Sequence, residues 1–375
     1  MIKIPDRIAG LKPYKPGKTI EKLAQEKSLK KIVKLASNEN PLGPSPKAIE
    51  AVIKHLPNAH RYVDSSAAEL VEKIADKYEK KTDQIICGHG VDGLLAYILN
   101  AFTEANDEVL TSNGAFIGIY VNTKKIGRKL SLAPLKEYTF DLEAICNAIC
   151  PRTRLIYLAN PNNPTGTIFT KGAFENFMVS VPGDILVVLD EAYTEFASAD
   201  PDFPNGLDYN NDNLIVTRTM SKFYGLAGFR VGYAVGPAEI IRELYKIKLP
   251  FEPNFAAQKA AIAALDDDEF LMHTLEVNKA SLKTMADKFE DLGIKHLKTH
   301  ANFMLLLMPD EKFAKLFYER CLDNGLILRH VKPFGIPNGI RINSATEEET
   351  KFALDIIEKV YHKLEKSLIL KTPPA

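Results

Sequence analysis

The sequence predicts an α/β protein: a large unit on a mostly parallel central sheet flanked by helices, followed by a smaller α+β unit. Three observations carry this reading. Short β-rich apolar runs alternate with helical patterns from Gln84 to Arg218, as in strands joined by crossover helices. Each run exits into a turn holding polar or reactive side chains, and parallel sheets collect ligands beyond the carboxyl ends of their strands. The 375 residues are 46% hydrophobic and 26% charged, a globular composition with length for about two domains.

Lys plus Arg (48) balance Asp plus Glu (48), so no global field draws nucleic acid or an anionic membrane. The expected partner is a small molecule or another protein chain. Cys87, Cys146, Cys150 and Cys321 lack paired CxxC spacing; they read as buried reduced thiols, with Cys146 and Cys150 one helical turn apart, and no metal is expected. The start, Met1 to Asp6, has no apolar stretch suited to a signal peptide, and no later run approaches a membrane span. A soluble, cytoplasmic protein is the expectation.

Residues 1–36 are basic, with prolines at 5, 13 and 16, and read as an arm plus a short helix without a core of its own. Leu35 to Pro46, dense in turn-formers, reads as a loop able to line a site. Helical patterns follow at 47–55 and 67–78, separated by Arg61-Tyr62-Val63-Asp64. From Gln84 to Leu99 the pattern is a buried strand, a glycine turn and an apolar helix. Unpaired amides at such a helix start suit a phosphate. Gly88-x-Gly90-x-x-Gly93 also matches the dinucleotide fingerprint, but the acids Asp107 and Glu108 precede the next strand instead of ending it, so the ribose anchor is missing. Phe116 arrives just after that strand.

Strands at 154–159, 184–189 and 214–218 lead to Asn163, Asp190 and Lys222. Beyond Pro250 a long helical run reaches Leu292; strands at 302–308, 326–329 and 340–343 and helices at 313–324 and 346–364 make the α+β unit. The expected division is 1–36 (arm and part of the small unit), 37–249 (large cofactor-binding unit) and 250–375 (small C-terminal unit).

Lys222 sits in a Gly-punctuated apolar segment with Arg230 eight positions later. A desolvated lysine near a second cation has a depressed pKa and can attack a carbonyl. A cofactor with a phosphate, a protonatable ring and an aldehyde needs an anion cradle, a stacking aromatic, a carboxylate, ring-oxygen donors and an amine. The chain supplies the amides of Val91 and Asp92, then Phe116, Asp190, Asn163 with Tyr193, and Lys222. Singly each has an ordinary structural reading; together, ordered along an α/β pattern, they are the parts of a pyridoxal phosphate site.

With Leu35 to Pro46, Asn160-Pro161-Asn162-Asn163-Pro164-Thr165-Gly166, Asp190-Glu191-Ala192-Tyr193, Ser221-Lys222 through Tyr233, and Ile340-Arg341-Ile342, the chain resembles the fold-type I pyridoxal-phosphate aminotransferases over nearly its whole length. The resemblance implies that Lys222 holds the cofactor aldehyde and later carries a proton, that Asp190 pairs with the ring nitrogen, and that Asn163 and Tyr193 bond the ring hydroxyl. Phe116 would stack on the ring. Ser221, Arg230 and the Val91 and Asp92 amides would hold the phosphate, with Tyr62 reaching over from the second subunit of a homodimer. Arg341 would grip a substrate carboxylate, with Asn38, Arg329 and Tyr14 also on the substrate. The implied reaction, a step of histidine biosynthesis, exchanges an amino group between glutamate and imidazole-acetol phosphate, giving 2-oxoglutarate and the phosphorylated imidazole amine. An aromatic amino-acid aminotransferase on the same scaffold is the alternative, ahead of a pyridoxal-phosphate decarboxylase or lyase and an NAD-dependent oxidoreductase. The chain departs from the family pattern at Gly90-Val91-Asp92-Gly93, where Gly-Ser-Asp-Glu is usual, and at Arg61-Tyr62-Val63-Asp64, where Arg-Tyr-Pro is common.

Overall fold

Seven strands form the main sheet of the computed structural model, which describes residues 2–11 and 17–369; Tyr14 lies outside the described residues. Across the sheet they run Ile85–Gly88, Gly232–Val235, Leu214–Thr219, Leu186–Asp190, Thr153–Ala159, Glu108–Ser112 and Lys129–Ala133. The last five pair in parallel. Gly232–Val235 is antiparallel to both neighbours. Every residue of the Leu186–Asp190 and Leu214–Thr219 strands is buried, as expected where helices cover both faces of a parallel sheet.

The chain leaves one edge at Gly88, crosses to Glu108–Ser112 and the far edge, then returns strand by strand to Gly232 beside its starting point. Five strand ends therefore converge. Helix Gly90–Phe102 starts two residues after its strand, at positive-φ Gly90, where a Cβ would stand 2.8 Å from the Arg230 guanidinium; glycine is required there for close approach as well as conformation.

Two large apolar cores are present. One surrounds the main sheet and continues through Ala257, Ala261 and Phe270 to Leu271, so the expected 249/250 division falls inside it. The other joins Val33 and Leu35 to Met285, Phe317, Ile342 and Ile357, around a four-stranded antiparallel sheet ordered Lys295–His296, Phe303–Leu307, Gly339–Asn343 and Arg329–His330. The N-terminal segment joins this second body: Val33–Lys34 pairs in parallel with Leu326–Ile327, and Leu23 of helix Ile20–Glu26 packs with Ala36, Leu322 and Ile327.

Several elements differ from expectation for local reasons. The run to Leu292 is two helices, Phe255–Ala264 and Asp268–Asp291; Asn254 caps the first by accepting from the Ala257 amide at 3.0 Å. The expected 326–329 strand is two, because Leu326–Ile327 and Arg329–His330 pair with different partners. Helix Leu142–Asn147 ends before Cys150, so Cys146 and Cys150 do not share it. Both are half-buried, while Cys87 and Cys321 are fully buried.

Candidate active site

A cavity of about 140 Å³ lies beyond the carboxyl ends of the parallel strands, lined by Val91, Asp92, Phe116, Asn163, Asp190, Tyr193, Ser221, Lys222 and Arg230, with Tyr157, Ala159 and Ala192 among the rest. Nine predicted residues meet there. A wider cleft of about 750 Å³ between helices Asp268–Asp291 and Glu347–Ile369 is lined by none of the predicted site residues.

The half-buried Lys222 donates from Nζ to the Ser37 carbonyl at 2.9 Å. Its pKa is lowered to about 8, chiefly by desolvation and next by the Arg341 guanidinium, with Arg230 adding to the effect. Arg230 is held at φ 58°, uncommon outside glycine. This turns its guanidinium toward the helix start: Nη1 donates to the Ala227 carbonyl at 3.2 Å and to Ser221 Oγ at 3.5 Å. Helix Gly90–Phe102 has no side-chain cap at His89, so its first-turn amides, Val91 and Asp92 included, lack intrahelical acceptors. Those amides, Ser221 and Arg230 form an anion cradle.

Asp190 ends the Leu186–Asp190 strand, 5% exposed. Its Oδ2 accepts from the Tyr157 hydroxyl at 2.6 Å and its Oδ1 from the Ala192 amide at 3.1 Å. Burial raises its pKa to about 6 against these two hydrogen bonds, with help from the negative charges of Asp92 and Glu191. Tyr193 accepts at its hydroxyl from Asn38 Nδ2 (2.7 Å) and Asn163 Nδ2 (3.3 Å), and burial pushes its phenol up to about 12. Asn163 Oδ1 in turn accepts from Arg341 Nη1 at 2.5 Å, while Arg341 Nη2 donates to the Ala36 carbonyl at 2.8 Å. One chain of hydrogen bonds thus runs from the cavity to Arg341 on the second body. At Gly118 a Cβ would overlap the Phe116 ring and the Asp92 carboxylate; glycine there leaves room for both.

A family model described as aminotransferase class I and II matches residues 30–357. The chain belongs to the aminotransferase class I and II family. It is 40% identical over 357 residues to histidinol-phosphate aminotransferase 2 of Hydrogenovibrio crunogenus, covering 94% of this chain and 95% of that protein. It is 37% identical to histidinol-phosphate aminotransferase of Moorella thermoacetica, covering 95% and 92%. In three dimensions it is similar to the crystal structure of histidinol-phosphate aminotransferase from Sinorhizobium meliloti in complex with pyridoxal-5'-phosphate, with TM-score 0.90, 28% identity and coverage of 97% and 99%.

The other predicted site residues within the described part of the chain lie outside the cavity lining. Asn38, at φ 55° and 1% exposed, sits behind Tyr193 and is not among the cavity-lining residues. Arg341 and Arg329 are register partners across the Gly339–Asn343 and Arg329–His330 strands, and both guanidiniums lie over Phe334, at 5.9 and 5.8 Å. Tyr62 is 84% exposed and stacks on Phe251 at 4.3 Å, away from the chain's own cavity. Tyr157 was not foreseen. It sits in an apolar strand, where its pattern is that of a core residue; its sequence signal is a phenol two positions before Ala159, on the face that Asp190 shares.

Proposed function

We propose that this chain, with pyridoxal 5'-phosphate bound in the cavity, exchanges an amino group between glutamate and imidazole-acetol phosphate, as in histidine biosynthesis. The observation that carries the reading is the meeting of Lys222, Asp190, the Asn163–Tyr193 pair and the anion cradle in one cavity. The names of the relatives, at 37–40% identity over nearly the whole chain, support the substrate.

The donor set fits the cofactor group for group. The helix amides, Ser221 and Arg230 suit its phosphate, Asp190 its ring nitrogen, Asn163 and Tyr193 its ring hydroxyl, and Lys222 its aldehyde. When bound, pyridoxal phosphate supplies an electron sink for charge developing at the substrate α-carbon. Lys222, with a pKa of about 8, can give or take a proton at that carbon near neutral pH. Asp190 keeps the ring nitrogen protonated by pairing a buried carboxylate with it. Arg341 binds the glutamate carboxylate, its planar fork suited to two bonds at once. Holding that carboxylate in an ion pair opposes its loss as carbon dioxide, which disfavours a decarboxylase. Arg329, beside it over Phe334, serves the phosphate end with Tyr14, and Asn38 serves the substrate through Tyr193.

The same reading makes the enzyme a homodimer. Tyr62, Phe251 and Leu249 are exposed together at 84%, 42% and 59%, a partner face from which Tyr62 reaches the other subunit's phosphate. Sedimentation that finds only monomers in the loaded enzyme would sink this part. The large and small domains divide within helix Asp268–Asp291, whose Phe270 and Leu271 belong to one core and Met285 and Phe289 to the other. No helix among the described residues is long and apolar enough to cross a membrane, and the four free cysteines support a reducing, cytoplasmic setting.

The deciding experiment is the visible spectrum of the purified protein on separate additions of glutamate, histidinol phosphate and phenylalanine. A yellow band bleached by glutamate and by low histidinol phosphate, and not by phenylalanine, is the expected result. Preferential bleaching by phenylalanine overturns the substrate, and a folded protein showing no band with pyridoxal phosphate overturns the cofactor.

A further inference from the structure

Tyr157 is the polar exception in the run 155–159 that ends its strand: Leu155, Ile156 and Leu158 beside it are apolar and fully buried, as is the Tyr157 ring. A buried phenol needs a partner for its hydroxyl. It finds one at 2.6 Å in Asp190 Oδ2, although its own register partner is Val188 and the residue directly beside Asp190 on that strand is the small, apolar Ala159. The bond spans two residues of register to reach the carboxylate, and Tyr157 also lines the cavity.

We propose that Tyr157 is a positioning residue for Asp190, its hydroxyl clamping the carboxylate in one orientation and in the ionised form that the cofactor's ring nitrogen requires. The inference rests on the cofactor reading above. An ionised carboxylate offers about four acceptor positions. The Tyr157 hydroxyl and Ala192 amide occupy two, which fixes the plane of the group and leaves positions for the ring. Burial works most strongly against ionisation of Asp190, and Asp92 from helix Gly90–Phe102 and Glu191 next in the chain add to it, while the Tyr157 hydroxyl and then the Ala192 amide lower its pKa. On the neighbouring Leu214–Thr219 strand its register partner is uncharged Thr217. Tyr157 is thus the one side chain among these that favours the charged form.

The test uses the cofactor-free protein, so it reads independently of whether pyridoxal phosphate is the cofactor. Aspartate carboxyls are labelled with carbon-13 and titrated by NMR, the Asp190 signal being assigned by its loss in Asp190→Asn. In Tyr157→Phe the Asp190 midpoint is expected to rise by about one pH unit from about 6, a roughly tenfold change in acid constant. Tyr157→His, which keeps a donor at the position, returns it toward the parent value. In the loaded enzyme Tyr157→Phe lowers kcat several-fold with little change in the KM for glutamate. A parent-like midpoint in Tyr157→Phe, or equal midpoints in the Phe and His variants, overturns the proposal. Loss of the visible band in the parent protein instead overturns the cofactor reading. If Tyr157→Phe does not fold, the His variant alone decides: a midpoint well above the parent's refutes the clamp.

Discussion

A half-buried lysine with a desolvated amine and two guanidiniums nearby titrates well below its usual range, as Lys222 does at about 8. The consequence for stability has a definite sign. Below pH 8 the folded and unfolded chains both carry the charge, and the folded state bears its desolvation. Between pH 8 and the ordinary lysine value of 10.5, only the unfolded chain keeps the proton, so stability rises with pH. Lys222→Met is therefore expected to stabilise the cofactor-free protein at neutral pH and to flatten the rise in Tm between pH 8 and 10. A parent-like slope in the variant would show that the lysine is not the titrating group. In the proposed reaction the same amine carries the proton. Lys222→Arg keeps a cation that does not deprotonate, and its transamination rate should fall by roughly 10²–10⁴-fold, read as glutamate-dependent turnover.

The strands that deliver the site residues also carry a buried ion pair on their other face. Arg218, next to Thr217 and Thr219, donates from Nε and Nη2 to Glu191 Oε2 at 2.9 and 2.6 Å, and Nη2 also reaches Asn205 Oδ1 at 2.6 Å. The Tyr78 ring lies 5.0 Å from its guanidinium, and Glu191 Oε1 accepts from the Gly206 amide at 2.5 Å. Glu191 follows Asp190 directly, so this pair braces the turn that aims the Asp190 carboxylate. Arg218→Met should cost about 3–5 kcal/mol by leaving Glu191 buried and unpaired, and Arg218→Met with Glu191→Leu should cost less, both measured by denaturant unfolding. A double variant less stable than Arg218→Met would contradict that account. Elements of this kind set the limit of what the sequence discloses. Strand ends carrying Asn163, Asp190 and Lys222 were legible because β-rich runs broke into turns. Val33–Lys34 and the hairpin of Leu135–Lys136 and Thr139–Phe140 were not, since two-residue strands have no period to detect. Gly232–Val235 was hidden because it follows the Arg230 turn at once, and its antiparallel direction depends on partners far away in the chain. The roles of Tyr157 and Arg218 depend on which face of the sheet they share, which composition does not reveal.

Across the whole molecule, the cofactor-free fold holds two mismatched charges in one cavity. Asp190, with a pKa of about 6 against an ordinary 3.8, keeps its proton when the unfolded chain has lost it, so its contribution to stability falls as pH rises from 3.8 to 6. Lys222 regains stability only above about 8. Between about pH 6 and 8 both groups are charged and both costs are borne in full. On the proposed reading a protonated ring nitrogen would pair with the ionised form of Asp190, so the cofactor would bind best where the empty protein is least favoured. Ligand that binds only the folded state raises stability by mass action; the gain in Tm from pyridoxal phosphate should therefore be larger at about pH 7 than at about pH 5. Scanning calorimetry on stripped and reloaded protein at both values measures it. Equal gains would mean that Asp190 ionisation does not govern cofactor binding, whereas a larger gain at pH 7 that shrinks in Asp190→Asn ties the pH dependence of the assembled enzyme to one carboxylate at the end of one strand.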